Sequence, residues 1–312
     1  MNSSNATKDG IMYGAIYLVL LLVAFFVPVL SIFILFTLPI PFLIYTYKHE
    51  LSHSVIMFVI TMTISSIFLL YISLPLTLLM GLGGSAIGYG LKQKRKSYET
   101  LALGTLGYSV GIVLVYVLSQ FFFQVNWSQE IQNAIDESLQ TFTSFYDQVG
   151  ELSEEDLELY REQMYLMIYK IPSMIVIAGL AFAWITQWLG HKIINKMEGD
   201  KLKFPPFREF SLPVSLIWYY FAGVILLLIF PSPEDSMFLV ADNLTTLAGV
   251  LLALQGLSFI FFLVHVKKWP KVVPMIVVIL FIIQPILLLY PLRILGIIDL
   301  GLQLRGRLTK KK

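Results

Sequence analysis

The chain has 312 residues, 57% of them hydrophobic and 13% charged, with a mean hydropathy of +0.77 and a formal net charge of +2. Soluble proteins carry about 25% charged residues, so this composition points to a bilayer and excludes an ordinary aqueous surface. The chain has no cysteines, which excludes disulfides, thiolate nucleophiles, Cys-ligated zinc and iron–sulfur clusters.

A helix needs about 20 mainly apolar residues to cross the hydrocarbon, and runs of that size recur along the whole chain. Residues 10–27 form the first, stopped by Pro28, and 30–47 the second, with Pro39 and Pro41 inside it. Residues 54–70 and 72–91 make two more, joined by a tight hairpin at Ile72–Pro75; nothing from 55 to 91 is Asp, Glu, Lys, Arg or His. A fifth span covers 98–124. After a polar insert at 126–165, further spans follow at 168–190, 212–230 and 243–264. The last apolar region, 272–304, contains Pro285 and Pro291 and ends in a basic tail. Two full spans would need roughly forty residues, so this region is expected to enter and leave as two short halves. The expected fold is therefore all-α: a polytopic transmembrane bundle of eight spans plus a proline-broken C-terminal pair, with an external amphipathic helical insert. Its parts are an N-terminal membrane bundle (1–125), the acidic insert (126–165), a C-terminal membrane bundle (166–304) and the tail (305–312).

Charge orients the chain. Lys and Arg accumulate in cytoplasmic loops, and Lys92, Lys94, Arg95 and Lys96, the 191–208 loop, and Lys267, Lys268 and Lys271 fall on one side by counting crossings. The insert, with ten acids and a single base, Arg161, falls on the other. Both termini are then expected in the cytoplasm. Within the insert, Ile131, Ile135, Leu139, Phe142, Phe145 and Val149 recur every three or four residues, the pattern of an amphipathic helix. Ser128 and Ser153 are candidate caps.

Chemistry is sparse. The amides Gln120, Gln187, Gln255 and Gln284, with Arg293 and Asp299, are the candidates for an intramembrane polar site. The amides either glue helices or contact a substrate, and the two charges either reach an interface or sit buried. Small residues line up at Ala6, Gly10 and Gly14, again at Gly81, Gly84 and Gly88, and also at Gly104, Gly107 and Gly111. Such stripes let helices, within the chain or from a partner, approach closely. His49-Glu50-Leu51-Ser52-His53 matches the zinc motif His-Glu-x-x-His literally, but His191 and His265 are the only other histidines and neither makes a persuasive third ligand. No nucleophile elbow or phosphate loop occurs, and basic residues scattered among short loops do not suit nucleic acid. No enzyme activity, metal or cofactor is expected.

The helix opening at Gly10–Ile16, the Leu38–Pro39–Ile40–Pro41 block, Gly81–Leu82–Gly83–Gly84 and the closing Leu295–Asp299 segment resemble the YybS family of Firmicutes membrane proteins, grouped as DUF2232. That family is distantly similar to the substrate-binding S components of energy-coupling-factor vitamin transporters. The resemblance implies that Ala6–Gly10–Gly14 matches the stripe by which those components meet a membrane partner. The span count and the acidic insert depart from that pattern. Two functions are expected to compete: a small-solute transporter or the embedded binding component of one, and a non-catalytic scaffold or signalling partner for envelope proteins.

Overall fold

A computed structural model describes residues 3–149 and 154–310, without the side chains of 3, 4, 68, 69, 145–149, 154, 309 and 310. Every regular element among them is helical. Seven helices are long and apolar enough to cross a membrane, and three apolar helices are shorter, Leu51–Ile67, Ser215–Ile229 and Val272–Ile283. The fold is an all-α polytopic membrane bundle. It divides into two compact units, residues Met1–Gln148 with Ile175–Phe204, and Val149–Met174 with Pro205–Lys312.

The first unit is built round a short helix. α1 (Ser3–Phe26) and α2 (Pro28–Leu35) lead into α3 (Ile40–Lys48), so the second predicted span is two helices with a break before Ile40. Each residue from Ile40 to Thr46 is buried, as expected for a helix that is apolar all round. Tyr17, Leu21, Met57, Met80, Ile87 and Tyr108 join it in one core. Gly84 and Gly88 let α3 approach: a Cβ there would stand 2.3 Å from the Pro39 carbonyl oxygen and 2.4 Å from that of Leu43.

α4 (Leu51–Lys92) is helical along its length, yet it reverses direction. Twelve residues of straight helix separate Ser65 from Thr77 by about 18 Å, but their hydroxyls are 3.0 Å apart. The Ser73 hydroxyl donates to the Ser65 carbonyl at 2.7 Å, and the Phe58 ring lies where a Cβ on Gly81 would go. The turn therefore falls between Ser65 and Ser73, a few residues before the predicted Ile72–Pro75 hairpin. Pro75 sits early in the returning arm, Leu70–Lys92, where its missing N–H interrupts few helix bonds.

α5 (Ser97–Phe122) runs antiparallel to that arm: Gly104 meets Ile87 and Gly111 meets Leu79. α6 (Trp127–Val149) starts at Asn126, whose side-chain oxygen accepts the Gln129 N–H at 3.3 Å, one residue before the helix and two before the expected cap Ser128. In α6, Ile135 and Leu139 are buried, Ile131 and Phe142 half-buried, and Asp136 and Glu137 exposed. The side chains of Phe145 and Val149, and Ser153, lie outside the described residues. α8 (Ile171–Glu198), whose first turn belongs to the second unit, completes the first with Ala183 and Ile194 in its core.

The second unit contains α7 (Glu154–Ile168), the 3-10 turn Phe207–Glu209, α9 (Ser215–Ile229), α10 (Ser236–Lys267), α11 (Val272–Ile283), α12 (Pro285–Leu302) and α13 (Leu304–Lys310). α10 is its axis. α9 runs antiparallel to it, with the Leu212 N–H on Gln255 and Gly223 on Thr245. Gly256 and Gly296 make the crossing of α10 and α12 a backbone contact. A Cβ on Gly256 would stand 1.9 Å from the Leu292 carbonyl oxygen, and one on Gly296 2.0 Å from that of Leu252. The apolar region after residue 272 breaks at Gln284, with Pro285 opening α12. Pro291 lies inside α12 without ending it.

Candidate functional site

Polar groups buried in an apolar bundle gather along α10, level by level. Asp242 and Thr245 come first, then Gly249, then Gln255 and Ser258, in steps of three to six residues that wind round the helix. From Asp242 to Ser258 the line covers about 24 Å at 1.5 Å per residue, most of the roughly 30 Å hydrocarbon thickness.

At the first level Lys170 donates to Asp242 Oδ1 at 2.5 Å. Beside it the Asn243 amide accepts the Ser173 N–H at 2.8 Å and donates to the Tyr169 carbonyl at 2.7 Å, fixing the start of α8. One turn further, Thr245 faces Gly223 of α9.

Arg293 occupies the next level. It is 8% exposed, and its Nη1 donates to the Tyr220 hydroxyl at 3.2 Å. Its guanidinium carbon lies 5.2 Å from the Tyr220 ring centre and 5.0 Å from that of Tyr290. No carboxylate pairs with it among the described residues. Ring contacts of this kind contribute about 0.5–2 kcal/mol each, whereas burying an ion costs several kcal/mol. Arg293 is therefore an under-compensated cation.

Below it Ile217, Leu252 and Leu300 form an apolar cluster. The last levels form a connected network. Asp299 Oδ2 accepts from Gln255 Nε2 at 2.6 Å and from Arg305 Nε at 2.9 Å. Arg305 Nη1 also donates to the Arg208 and Phe210 carbonyls at 2.9 and 2.8 Å, and its Nη2 to Ser258 Oγ at 3.1 Å. The Ser258 hydroxyl itself donates to the Phe207 and Phe210 carbonyls. From Arg293 to Arg305 the chain descends beside α10 in the same sense, Gly249 to Ser258.

Four buried side-chain atoms on this line lack a hydrogen-bond partner among the described residues: Asp242 Oδ2, Thr245 Oγ1, Arg293 Nε and Asp299 Oδ1. A buried polar atom left unpaired costs about 1–3 kcal/mol, so each of the four would gain from a further polar partner.

Of the six residues proposed from sequence, three belong to the α10–α12 group. Gln255 and Asp299 meet, with Arg293 on the same helix as Asp299. Gln187 is buried in the first unit, where its amide donates to the Ser97 carbonyl at 2.9 Å. Gln120 and Gln284 are exposed on the protein surface, Gln284 at the break before α12. Sequence reasoning missed Tyr220, Thr245, Ser258 and Arg305. Small residues at 249, 256 and 296 with Ser258 three after Gln255 were the available signal.

The small-residue stripe of α1 points into the first unit. The Ala6 carbonyl accepts from the Tyr45 hydroxyl at 3.1 Å, Gly10 faces Tyr45 and Gly14 faces Thr61. Ala6, Gly10 and Gly14 line a half-open apolar groove of about 350 Å³ against His53, Ile56, Met57 and Ile60. The histidine motif does not assemble. His49 is in extended backbone before the helix, with Glu50 at the N-cap and only His53 inside α4. His49 Nε2 lies 2.8 Å from Asp9 Oδ2, and no group of three His, Asp or Glu among the described residues could hold a metal.

A family model described as "Predicted membrane protein (DUF2232)" matches residues 15–300. The chain is also similar to "Uncharacterized protein YybS" of Bacillus subtilis (strain 168), 28% identical over 309 residues that cover 98% of this chain and 99% of that protein. No solved structure matches it. With nearly its whole length matched by the family model, the chain belongs to the DUF2232 family of bacterial membrane proteins.

Proposed function

We propose that this chain is a small-solute transporter, or the membrane-embedded solute-binding component of one, and that the polar line along α10 is its working surface. The observation that carries this reading is the line itself. An apolar bundle that only had to fold would do better with packed hydrophobic residues than with a buried ionic network, and ionisable groups inside a membrane mark solute or ion paths by default. The broken α11–α12 pair beside the line is the kind of interrupted helix from which transporters build binding sites.

In this reading the chain makes eight spans plus the α11–α12 pair, with both termini in the cytoplasm. Residues 126–165 are an extracytoplasmic acidic insert, its α6 apolar face packed inward. Energy comes from a coupled gradient or a partner, since the sequence carries no nucleotide-binding motif. The test is purified protein screened against small solutes for thermal stabilisation, followed by flux into proteoliposomes. Binding and flux that weaken together in Asp299→Asn support the reading; a broad screen with neither removes it.

A second reading, a membrane scaffold for envelope proteins, is favoured by the groove along α1. There Ala6, Gly10 and Gly14 offer a smooth apolar channel that could seat a partner's helix. Affinity purification from native membranes would then yield one stoichiometric companion, lost when Gly14 is replaced by Leu and retained in Asp299→Asn.

A further inference from the structure

We propose that Arg293 is the recognition group for an oxyanion, a carboxylate or phosphate carried by a solute or by a lipid, held where α9, α10 and α12 meet. The inference deepens the transport reading and rests on its assignment of the α10 line as the working surface.

The first argument is charge. The line carries three cations, Lys170, Arg293 and Arg305, and two carboxylates, Asp242 and Asp299. Asp242 is taken by Lys170 and Asp299 by Arg305. One positive charge is left over, on Arg293. A single negative charge from outside the chain balances the set.

The second argument is the unsatisfied side of the guanidinium. Nη1 of Arg293 is engaged by the Tyr220 hydroxyl. The opposite edge, Nε with Nη2, is the one that takes a carboxylate or phosphate through two parallel hydrogen bonds. Nε is buried without a partner among the described residues, and the guanidinium packs on α10 at Gly249, a contact that only a glycine allows. A Cβ on Gly249 would stand 2.6 Å from Cζ, 2.6 Å from Nη2 and 2.7 Å from Nε. The Thr245 hydroxyl, one turn away on the same helix, also lacks a partner among the described residues and faces Gly223 of α9. Tyr220 and Tyr290 flank the guanidinium with their rings, so the group is oriented before any ligand arrives.

The test uses full-length protein in two settings. In detergent freed of phospholipid, inorganic phosphate and acetate are titrated against chloride at constant ionic strength, with thermal unfolding as the readout. In nanodiscs, phosphatidylglycerol is compared with phosphatidylcholine by the same readout and by native mass spectrometry for retained lipid. Wild type, Arg293→Gln, Arg293→Lys and the exposed-cation control Lys267→Gln are run in parallel. A solute site predicts stabilisation by phosphate or acetate, weakened about tenfold in Arg293→Gln and unchanged in Lys267→Gln. A lipid site predicts no response to soluble anions but retained phosphatidylglycerol that Arg293→Gln loses. Arg293→Lys keeps the charge without the fork and should bind at intermediate strength, which keeps the test usable if the Gln variant folds poorly. Equal anion and lipid responses in wild type, Arg293→Gln and Arg293→Lys overturn the inference. Flux of an uncharged solute that survives in Arg293→Gln, without any anion effect, overturns it while leaving transport standing. Arg293-dependent anion binding with no flux of any solute supports it and removes transport.

Discussion

Asp299 receives both of its hydrogen bonds on one oxygen, from Gln255 and Arg305, inside a helix where a carboxylate is otherwise out of place. Removing one partner of a buried pair costs about 3–5 kcal/mol, so Asp299→Ala should lower the thermal unfolding temperature markedly. The double change with Arg305→Ala should cost less than the sum of the two single changes, because Arg305 is then no longer left facing an empty position. Equal, additive losses in detergent-solubilised protein would show that the pair is not coupled. Asp299 was visible in the sequence as a charge in an apolar run, but its partner was not. Arg305 reads as the first residue of a basic tail, and only the turn at Gln303, with its left-handed backbone (φ 48°), brings it back onto Asp299. Gln120 and Gln284 show the converse: an amide in an apolar segment says nothing about which side of the helix it occupies, and both face outward.

At the scale of elements, the two tightest contacts make opposite demands on sequence reading. The Gly81–Gly84–Gly88 stripe was legible because its members recur within one helix, and it faces Phe58, Pro39 and Leu43. The Gly256–Gly296 crossing was not, because its halves lie forty residues apart. Gly256→Val and Gly296→Val should each separate α10 from α12 and reduce the folded, monodisperse yield; overpacking of this kind costs about 1–3 kcal/mol or more. Gly306→Val, with nothing within 4 Å of its Cβ position, should be silent. The reversal of α4 admits a direct test, since the chain has no native cysteine. Ser65→Cys with Thr77→Cys should cross-link on mild oxidation, whereas residues about 18 Å apart on a straight helix could not. The charge-free run from 55 to 91 announced two passes, and Pro75 suggested where they meet. The turn comes earlier because Ser65, Ser73 and Thr77 satisfy one another's hydroxyls there, a local match that hydropathy does not register.

For the whole molecule, composition alone marked the polytopic helical class, and charge asymmetry proposed an orientation that labelling can check. Glu137→Cys should react with an impermeant thiol reagent added to intact cells, and Ile135→Cys, on the buried side of α6, should react far less. Strong reaction at both would show a loose insert, and reaction at neither would contradict the orientation. What the sequence could not reveal is which polar residues share an interior, because that depends on α12 descending beside α10 and not on spacing within any one segment. The central claim is that the α10 line serves a ligand. A structure of the intact protein extracted with its native lipids, inspected between Arg293, Tyr220 and Thr245, tests it most directly. The account predicts non-protein density within hydrogen-bonding distance of Arg293 Nε and Nη2. A closed interior in which a protein carboxylate fills that position, with no ligand anywhere along α10, would contradict it.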